Sequence, residues 1–158
     1  MADDSPSCCR HFAKKSRERS HFMNILVIDA QGGGIGRQLV TAIKQEIPSA
    51  FVTAVGTNSA ATSAMLKAGA DEAATGENSV ITVCRKAEVI VGPIGIVIAD
   101  SMLGEVTPKM AAAVSQSSAK RVLIPFNHCD NIIVGISDYS TGKLISGAVE
   151  EIKKMSQR

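Results

Sequence analysis

A run of glycines after the first apolar segment is the part of this sequence best suited to hold a ligand. The turn Gly32-Gly33-Gly34-Ile35-Gly36 follows the apolar run Met23-Asn24-Ile25-Leu26-Val27-Ile28 and precedes apolar residues at helical spacing. Because glycine has no Cβ, the backbone can turn sharply and approach a diphosphate. The first amides of the following helix favour negative charge. This position between a strand and a helix predicts that the turn binds the phosphate of a nucleotide or dinucleotide.

The glycine turn also admits two other interpretations. It departs from the dinucleotide fingerprint G-x-G-x-x-G because the sixth position from Gly32 is Arg37, so a tight turn without a ligand remains an alternative. It also resembles a short P-loop. However, Arg37 stands where that loop has its phosphate-binding lysine, and Gln38 stands where it has the hydroxyl that holds magnesium. We therefore do not expect an ATPase.

Further candidate ligand contacts lie where the other strands are expected to end. In an open parallel sheet, ligands bind beyond the carboxyl ends of the strands, and these ends are small and polar here. The predicted cofactor contacts are Asp29, Gln31, Gly32, Gly33, Gly34, Ile35, Gly36, Thr57, Asn58, Gly92, Pro93 and Asn127.

The end of the second predicted strand bears on the choice between NAD and NADP. NAD enzymes usually place an acidic side chain there to hold the ribose, whereas this sequence has the neutral Thr57 and Asn58. A neutral pair tolerates a 2′-phosphate, so NADP is favoured over NAD, although no basic clamp follows. Asp29 is expected near the bound phosphates, where it either accepts hydrogen bonds from the loop amides or holds a metal ion.

The sequence offers few candidate catalytic groups. The run Asn127-His128-Cys129-Asp130 follows a predicted strand and places an imidazole beside a thiol. It fits a general base and nucleophile formed by His128 and Cys129, a ligand contact through Asn127 or His128, or a plain loop.

Two other groups of side chains are expected to have no chemical role. Charged residues around a predicted helix start are more often solvated caps than groups that close over a substrate; these are Asp100, Glu105 and Lys109. Paired metal-ligand spacing is missing from the N-terminal cysteines and histidines, which are Cys8, Cys9, His11 and His21. We therefore predict no metal site.

Alternating strands and helices must position these groups. The predicted strands cover residues 25–28, 51–55, 73–75, 89–93, 121–124 and 132–135. The predicted helices run from the glycine turn to Pro48, from Asn58 or Ser59 to Gly69, from Asn78 or Ser79 to Lys86, from a Thr107 cap with Pro108 in the first turn, and from about Thr141. Residues 94–104 fit either a strand or a buried turn with a short helix. The alternation implies a single three-layer, Rossmann-like α/β domain with a mainly parallel sheet.

Length and charge define the domain organisation. The 158 residues suffice for one core, so a complete active site is expected to need a second subunit of a homo-oligomer. Residues 1–22 are polar and aperiodic, and we interpret them as a disordered arm, a cloning remnant or an upstream start. The nucleotide-binding domain then spans residues 23–158. The tail supplies the whole formal charge of +2, because the remainder holds twelve basic and twelve acidic side chains.

These properties argue against several classes of partner. A neutral domain with 3% aromatic residues favours neither nucleic acid nor an anionic membrane surface. Its apolar runs are shorter than the roughly 18 residues that span a bilayer. Four cysteines without a framework spacing indicate a reducing compartment, so we expect a soluble, cytoplasmic protein.

Three segments of the chain resemble a known family. They are Met23 to Gly36, Val91-Gly92-Pro93-Ile94-Gly95 and Pro125-Phe126-Asn127. They resemble short bacterial Rossmann-like proteins that are grouped only as a domain of unknown function, and the resemblance covers Met23 to Met155. It implies an NAD(P)-binding-like fold, without an assigned activity or catalytic residues.

More remotely, the glycine turn resembles that of short-chain dehydrogenases. Tyr139 and Lys143 match the spacing of their Tyr-x-x-x-Lys pair. However, the intervening Ser140-Thr141-Gly142 predicts a helix N-terminus, where the two side chains are not presented from within one helix. The placement after the last strand also differs from that family.

The sequence therefore predicts a nucleotide-binding or dinucleotide-binding module, with NAD or NADP as its cofactor. It acts either as a sensor or as the cofactor-holding part of a homo-oligomer. One alternative is a small NAD(P)-dependent oxidoreductase whose site is completed across a dimer interface. Another is a structural or interaction protein with a vestigial glycine turn.

Overall fold

Five strands form one parallel sheet in the computed structural model, which describes residues 22–126, 131–136 and 140–157. The strands are β1 (Asn24–Asp29), β2 (Phe51–Gly56), β3 (Glu72–Thr75), β4 (Val89–Pro93) and β5 (Lys120–Ile124). They lie in the order β3-β2-β1-β4-β5, and each of these pairings is parallel. The predicted α/β class is confirmed, and this strand order is that of the Rossmann fold.

Helices connect the strands, as the alternating pattern predicts. They are α1 (Gly34–Glu46), α2 (Ser59–Lys67), α3 (Glu77–Cys84), α4 (Pro108–Gln116) and α5 (Thr141–Ser156). The predicted caps at Asn58 and Thr107 are confirmed, because each side chain accepts a hydrogen bond from the third amide of its helix. Among the described residues, no helix is both long and apolar enough to cross a membrane.

Both faces of the sheet are buried, which gives the three predicted layers. Ile25 and Val27 of β1 pack with α1, α2 and α5 on one face. Leu26 and Ile28 pack with α3 and α4 on the other. The connecting helices therefore change from one face of the sheet to the other after β3. β1 has β2 on one side, which the chain reaches through α1 on the first face. On its other side β1 has β4, which the chain reaches through α3 on the second face. The carboxyl ends of β1 and β4 mark this switch point.

One predicted strand is wrong, and one predicted helix is present with different ends. Residues 132–135 form an irregular segment and a turn instead of a strand, with Ile132 94% exposed and Val134 93% exposed. Their β-branched side chains favour a strand, but a strand also requires a neighbouring strand and a buried face. Helix α3 begins after Gly76 and ends at Cys84, rather than running from a cap at Asn78 or Ser79 to Lys86. The Ser79 hydroxyl instead donates to the carbonyl oxygen of Thr75.

The ambiguous segment after β4 is a short helix followed by turns. A 3₁₀ helix covers Ile94–Val97, which confirms the helical alternative for residues 94–104. Residues 98–106, named here the strap, connect it to the Thr107 cap. The predicted N-terminal extension lies outside the described residues except for Phe22.

Candidate functional site

A pocket of about 280 Å³ opens at the switch point between β1 and β4. Its lining combines the glycine turn with the segments after β4 and β5 and the start of α5. The lining residues are Asp29, Ala30, Gln31, Gly32, Gly34, Ile35, Gln38, Pro93, Gly95, Met102, Phe126 and Thr141. Six of the predicted cofactor contacts are therefore brought to one pocket. A larger groove of about 600 Å³ between α3 and α4 is lined by none of them.

The glycines of the turn have two different roles. Gly33 has a φ of 70°, and a Cβ there would lie 2.8 Å from Ala61 Cα. A Cβ on Gly36 would lie 2.5 Å from Met65 Sδ and 2.8 Å from Asp29 Cβ. These two glycines let α1 pack closely against α2 and β1. By contrast, a Cβ on Gly32 or Gly34 would meet nothing within 4 Å.

Gly36 has the packing role that the dinucleotide motif gives to its third glycine. The third glycine of the dinucleotide motif allows close packing of the helix on the strand, and here Gly36 does so. Counting back five residues makes Gln31 the first position, and its φ of 51° is left-handed, as a tight turn requires. The frame that begins at Gln31 therefore has Gly33 and Gly36 in its third and sixth places, whereas the frame that begins at Gly32 has Arg37 in sixth place.

The backbone amides of the turn divide in the same way as the glycines. Gly33 N donates to the carbonyl oxygen of Ala30 at 3.0 Å, and Gly36 N donates to Oδ2 of Asp29 at 2.6 Å. Within the described part of the chain, the amides of Gly32 and Gly34 donate to no partner. Two exposed amides at the N-terminus of α1 are thus available to an external acceptor.

Asp29 caps the turn from inside the fold. Its side chain is 4% exposed, and Oδ1 accepts from Ala30 N at 2.8 Å while Oδ2 accepts from Gly36 N. Burial raises the pKa of the Asp29 carboxyl, the amides of Gly36 and Ala30 oppose this, and the charge of Glu105 adds to it. Of the two predicted roles, the contacts fit acceptance of loop amides. The described residues contain no cluster of three or more potential metal ligands.

Glu105 joins the glycine turn to the end of β2. Its Oε2 atom accepts hydrogen bonds from Gln31 N at 2.8 Å, Thr57 Oγ1 at 2.5 Å and Asn58 Nδ2 at 2.8 Å. The expectation that Glu105 is a solvated helix cap is therefore wrong. A carboxylate also lies at the end of β2, where the sequence itself has only the neutral Thr57 and Asn58, because Glu105 reaches this position from the other side of the switch point.

The strap holds Glu105 in place through an unusual backbone path. Asp100, Met102 and Leu103 all have left-handed φ angles, of 61°, 54° and 59°. The buried Ser101 hydroxyl donates to the carbonyl oxygen of Gly95 at 2.5 Å, and Val106 is buried in the core. Left-handed conformations cost energy in residues other than glycine and concentrate at functional sites. The strained strap thus agrees with a functional role for this edge.

Glu105→Gln is expected to lower the free energy of unfolding at about pH 7 and to lower it by less in acid. Burial opposes ionisation of Glu105, but hydrogen bonds from Thr57, Gln31 and Asn58 outweigh it, so the pKa of this carboxyl is lowered from 4.5 in the folded chain. A lowered pKa stabilises the fold above the unfolded-state pKa, and the contribution is lost as pH falls through the folded-state pKa. Urea unfolding of both proteins at several pH values between about 7 and about 3 measures the difference in free energy. A difference that does not shrink would contradict the assignment.

Several predicted residues are not brought to the pocket. Gly92 is buried inside β4. Asp100 is exposed, and Lys109 lies 4.0 Å from Glu77 with its side chain 79% exposed. The remaining candidates lie outside the described residues: Asn127, His128, Cys129, Tyr139 and the N-terminal Cys8, Cys9, His11 and His21.

The pocket also includes residues that are not among the predicted cofactor contacts. Phe126 follows β5, so the rule that ligands bind at carboxyl ends was sufficient to find it. Thr141 begins α5, and Met102 lies in the strap. Neither carries a local motif, and both reach the pocket only through the packing of distant segments.

Comparisons with known proteins identify a matching family and a similar solved structure. A family described as "Domain of unknown function (DUF3842)" matches residues 24–157. No curated protein matches the sequence. One similar solved structure is a dodecameric FMN-dependent UbiX-like decarboxylase from Escherichia coli O157:H7, with 16% identity and a TM-score of 0.42 over 84% of this chain and 76% of that chain. A similarity of this size says nothing about the ligand of this chain.

Proposed function

We propose that this chain, which belongs to the family of domains of unknown function DUF3842, binds a nucleotide at the carboxyl edge of its sheet. The ligand is a mononucleotide or a dinucleotide of the NAD type. The observation that carries this proposal is the pair of open amides of Gly32 and Gly34 at the start of α1, beside the pocket at the switch point. Neither amide donates to any of the described residues.

The phosphate group is the part of the ligand that the turn is best built to accept. Helix α1 is 13 residues long, so its N-terminus carries a substantial partial positive charge. Asp29 satisfies the inner amide of Gly36 and leaves the amides of Gly32 and Gly34 to the ligand. The absence of a Cβ at both positions lets a phosphate oxygen approach the backbone closely.

The pocket is suited to one ring-sized part of the ligand. Its apolar surface comes from Ala30, Ile35, Pro93, Met102 and Phe126. A volume of about 280 Å³ lies just below the range for small-molecule sites, which begins at about 300 Å³. A whole dinucleotide therefore has to extend from the pocket over the turn towards the end of β2.

Binding without catalysis is the function that the geometry supports. The oxidoreductase alternative depends on the loop with His128 and Cys129, which lies outside the described residues. Asp29 is the buried carboxyl nearest to the pocket, but its oxygens already accept backbone amides. We therefore propose a nucleotide-binding module and assign no reaction to it.

A thermal-shift titration of the full chain tests this proposal. NAD, NADH, NADP, AMP and FMN are each added in increasing concentration. A ligand at a hundredfold excess over its Kd adds about 2.7 kcal/mol of stability, which raises Tm by about 5–10 °C for a domain of this size. A saturable rise with at least one nucleotide is the expected result. If none of them raises Tm at about millimolar concentration, the proposal is wrong and the turn is structural.

A further inference from the structure

We infer that Glu105 recognises the ribose of the bound nucleotide and excludes ligands that carry a 2′-phosphate; this rests on the function proposed above. The strap, rather than β2 itself, supplies the specificity-determining carboxylate. Unmodified ribose presents a 2′,3′-diol, whose hydroxyls donate to a carboxylate, whereas a 2′-phosphate brings negative charge against it. The expected ligand class is thus AMP, NAD or a similar nucleotide with free ribose hydroxyls.

Its hydrogen bonds fix Glu105 in the required place. Three donors meet at Oε2, and they come from the glycine turn and from both residues after β2. Within residues 22–126, 131–136 and 140–157, the other oxygen, Oε1, accepts no hydrogen bond. Glu105, Thr57 and Asn58 are all half-buried rather than enclosed. One carboxylate oxygen is therefore oriented by the protein, and the second is left for a ligand.

The spacing between Glu105 and the phosphate position fits one nucleoside phosphate. Glu105 bonds the amide of Gln31, and Gly32, with its open amide, is the next residue. Consecutive residues are about 3.8 Å apart, so the two subsites are separated by only a few ångströms. The ribose of a 5′-nucleotide joins its diol and its phosphate over a distance of this kind.

The electrostatics of the edge set the sign of the selectivity. Thr57 and Asn58 are neutral, and each donates one side-chain hydrogen to Glu105. The Asn58 amide also donates to the carbonyl oxygen of Gln31 at 2.9 Å, so neither side chain is free to receive a 2′-phosphate. Asp29, another carboxyl at this edge, is 4% exposed and supplies no positive charge for a 2′-phosphate. The preference for NADP that the neutral pair suggests in the sequence is therefore reversed.

Affinity measurements with three adenine nucleotides test the inference. The ligands are AMP, 2′-deoxy-AMP and adenosine 2′,5′-bisphosphate, each titrated calorimetrically into the full chain. The wild type is expected to bind AMP at least about tenfold more tightly than either of the others, a difference of about 1.4 kcal/mol. In Glu105→Gln, AMP and the bisphosphate are expected to bind within about threefold of each other, because the repelling charge is gone.

Glu77→Gln is the matched control. Glu77 also accepts a threonine hydroxyl, from Thr107 at 2.6 Å. Among the described residues, its hydrogen bond and its ion pair with Lys109 involve none of the predicted ligand contacts. Glu77→Gln should leave the selectivity unchanged. Equal wild-type affinity for AMP and the bisphosphate overturns the inference while the proposed function stands, as does selectivity that survives in Glu105→Gln. Failure of all three nucleotides to bind overturns the inference, and the thermal-shift titration then decides whether the proposed function stands. If Glu105→Gln does not fold, the comparison in the wild type alone decides.

Discussion

Gly34→Asp is expected to weaken nucleotide binding by about 10- to 100-fold while the fold keeps its stability. A Cβ at this position meets nothing within 4 Å, so the new side chain is accommodated without a clash. Its carboxylate would stand at the N-terminus of α1, beside the amide that is proposed to contact the phosphate. Two like charges at about 4 Å repel by about 4 kcal/mol at an effective dielectric constant of 20, and exposure to solvent reduces this to the expected range of about 1.4–2.8 kcal/mol.

The same substitution should not destabilise the protein, which makes the experiment informative. A negative charge in the first turn of a helix stabilises it by about 0.3–1 kcal/mol. Thermal unfolding without ligand is therefore expected to show an equal or slightly higher Tm.

Gly34→Asn separates the effect of charge from the effect of size. Asparagine has nearly the same shape as aspartate but no charge, so it should retain most of the affinity. Calorimetric titration of the three proteins with the best-bound nucleotide gives the comparison. If Gly34→Asp binds as tightly as the wild type, the phosphate does not lie at the glycine turn.

Most of the helices and strands followed from local patterns. The apolar run of β1, buried on both faces, is typical of a central parallel strand, and Thr107 followed by Pro108 marked the start of α4 correctly. These signals succeed because a few neighbouring residues determine them. Residues 132–134 failed because strand formation depends on a distant partner that the local β-branched pattern does not report.

The candidate site was only partly predictable for the same reason. The glycine turn is a continuous segment, so the sequence alone was enough to select the residues that it brings to the pocket. Glu105 lies 74, 48 and 47 residues from Gln31, Thr57 and Asn58, its three partners. No local rule connects residues at such separations. Only the parallel order of the sheet brings the strap beside the end of β2.

Gly92→Ala is expected to destabilise the fold by about 3 kcal/mol or more. Gly92 is buried in β4 beside β1, and a Cβ there would lie closer than 3.0 Å to the carbonyl oxygen of Ile28 and 3.1 Å from Ile96 Cδ1. The carbonyl belongs to the backbone of the adjacent central strand, so it cannot rotate away as a side chain can. Overpacking of a core costs about 1–3 kcal/mol and occasionally more, and a backbone obstacle places this site at the upper end.

Gly147→Ala is the same chemical change but is expected to stabilise the fold. Gly147 is exposed in the interior of α5, and a Cβ there meets nothing within 4 Å. Alanine is favoured over glycine in a helix by about 0.5–1 kcal/mol, so this variant should be slightly more stable than the wild type. Urea unfolding of the three proteins without ligand measures both effects. Equal stability of Gly92→Ala and the wild type would mean that β1 and β4 are not packed as described. The switch point between these strands, which forms the pocket, would then be wrong as well.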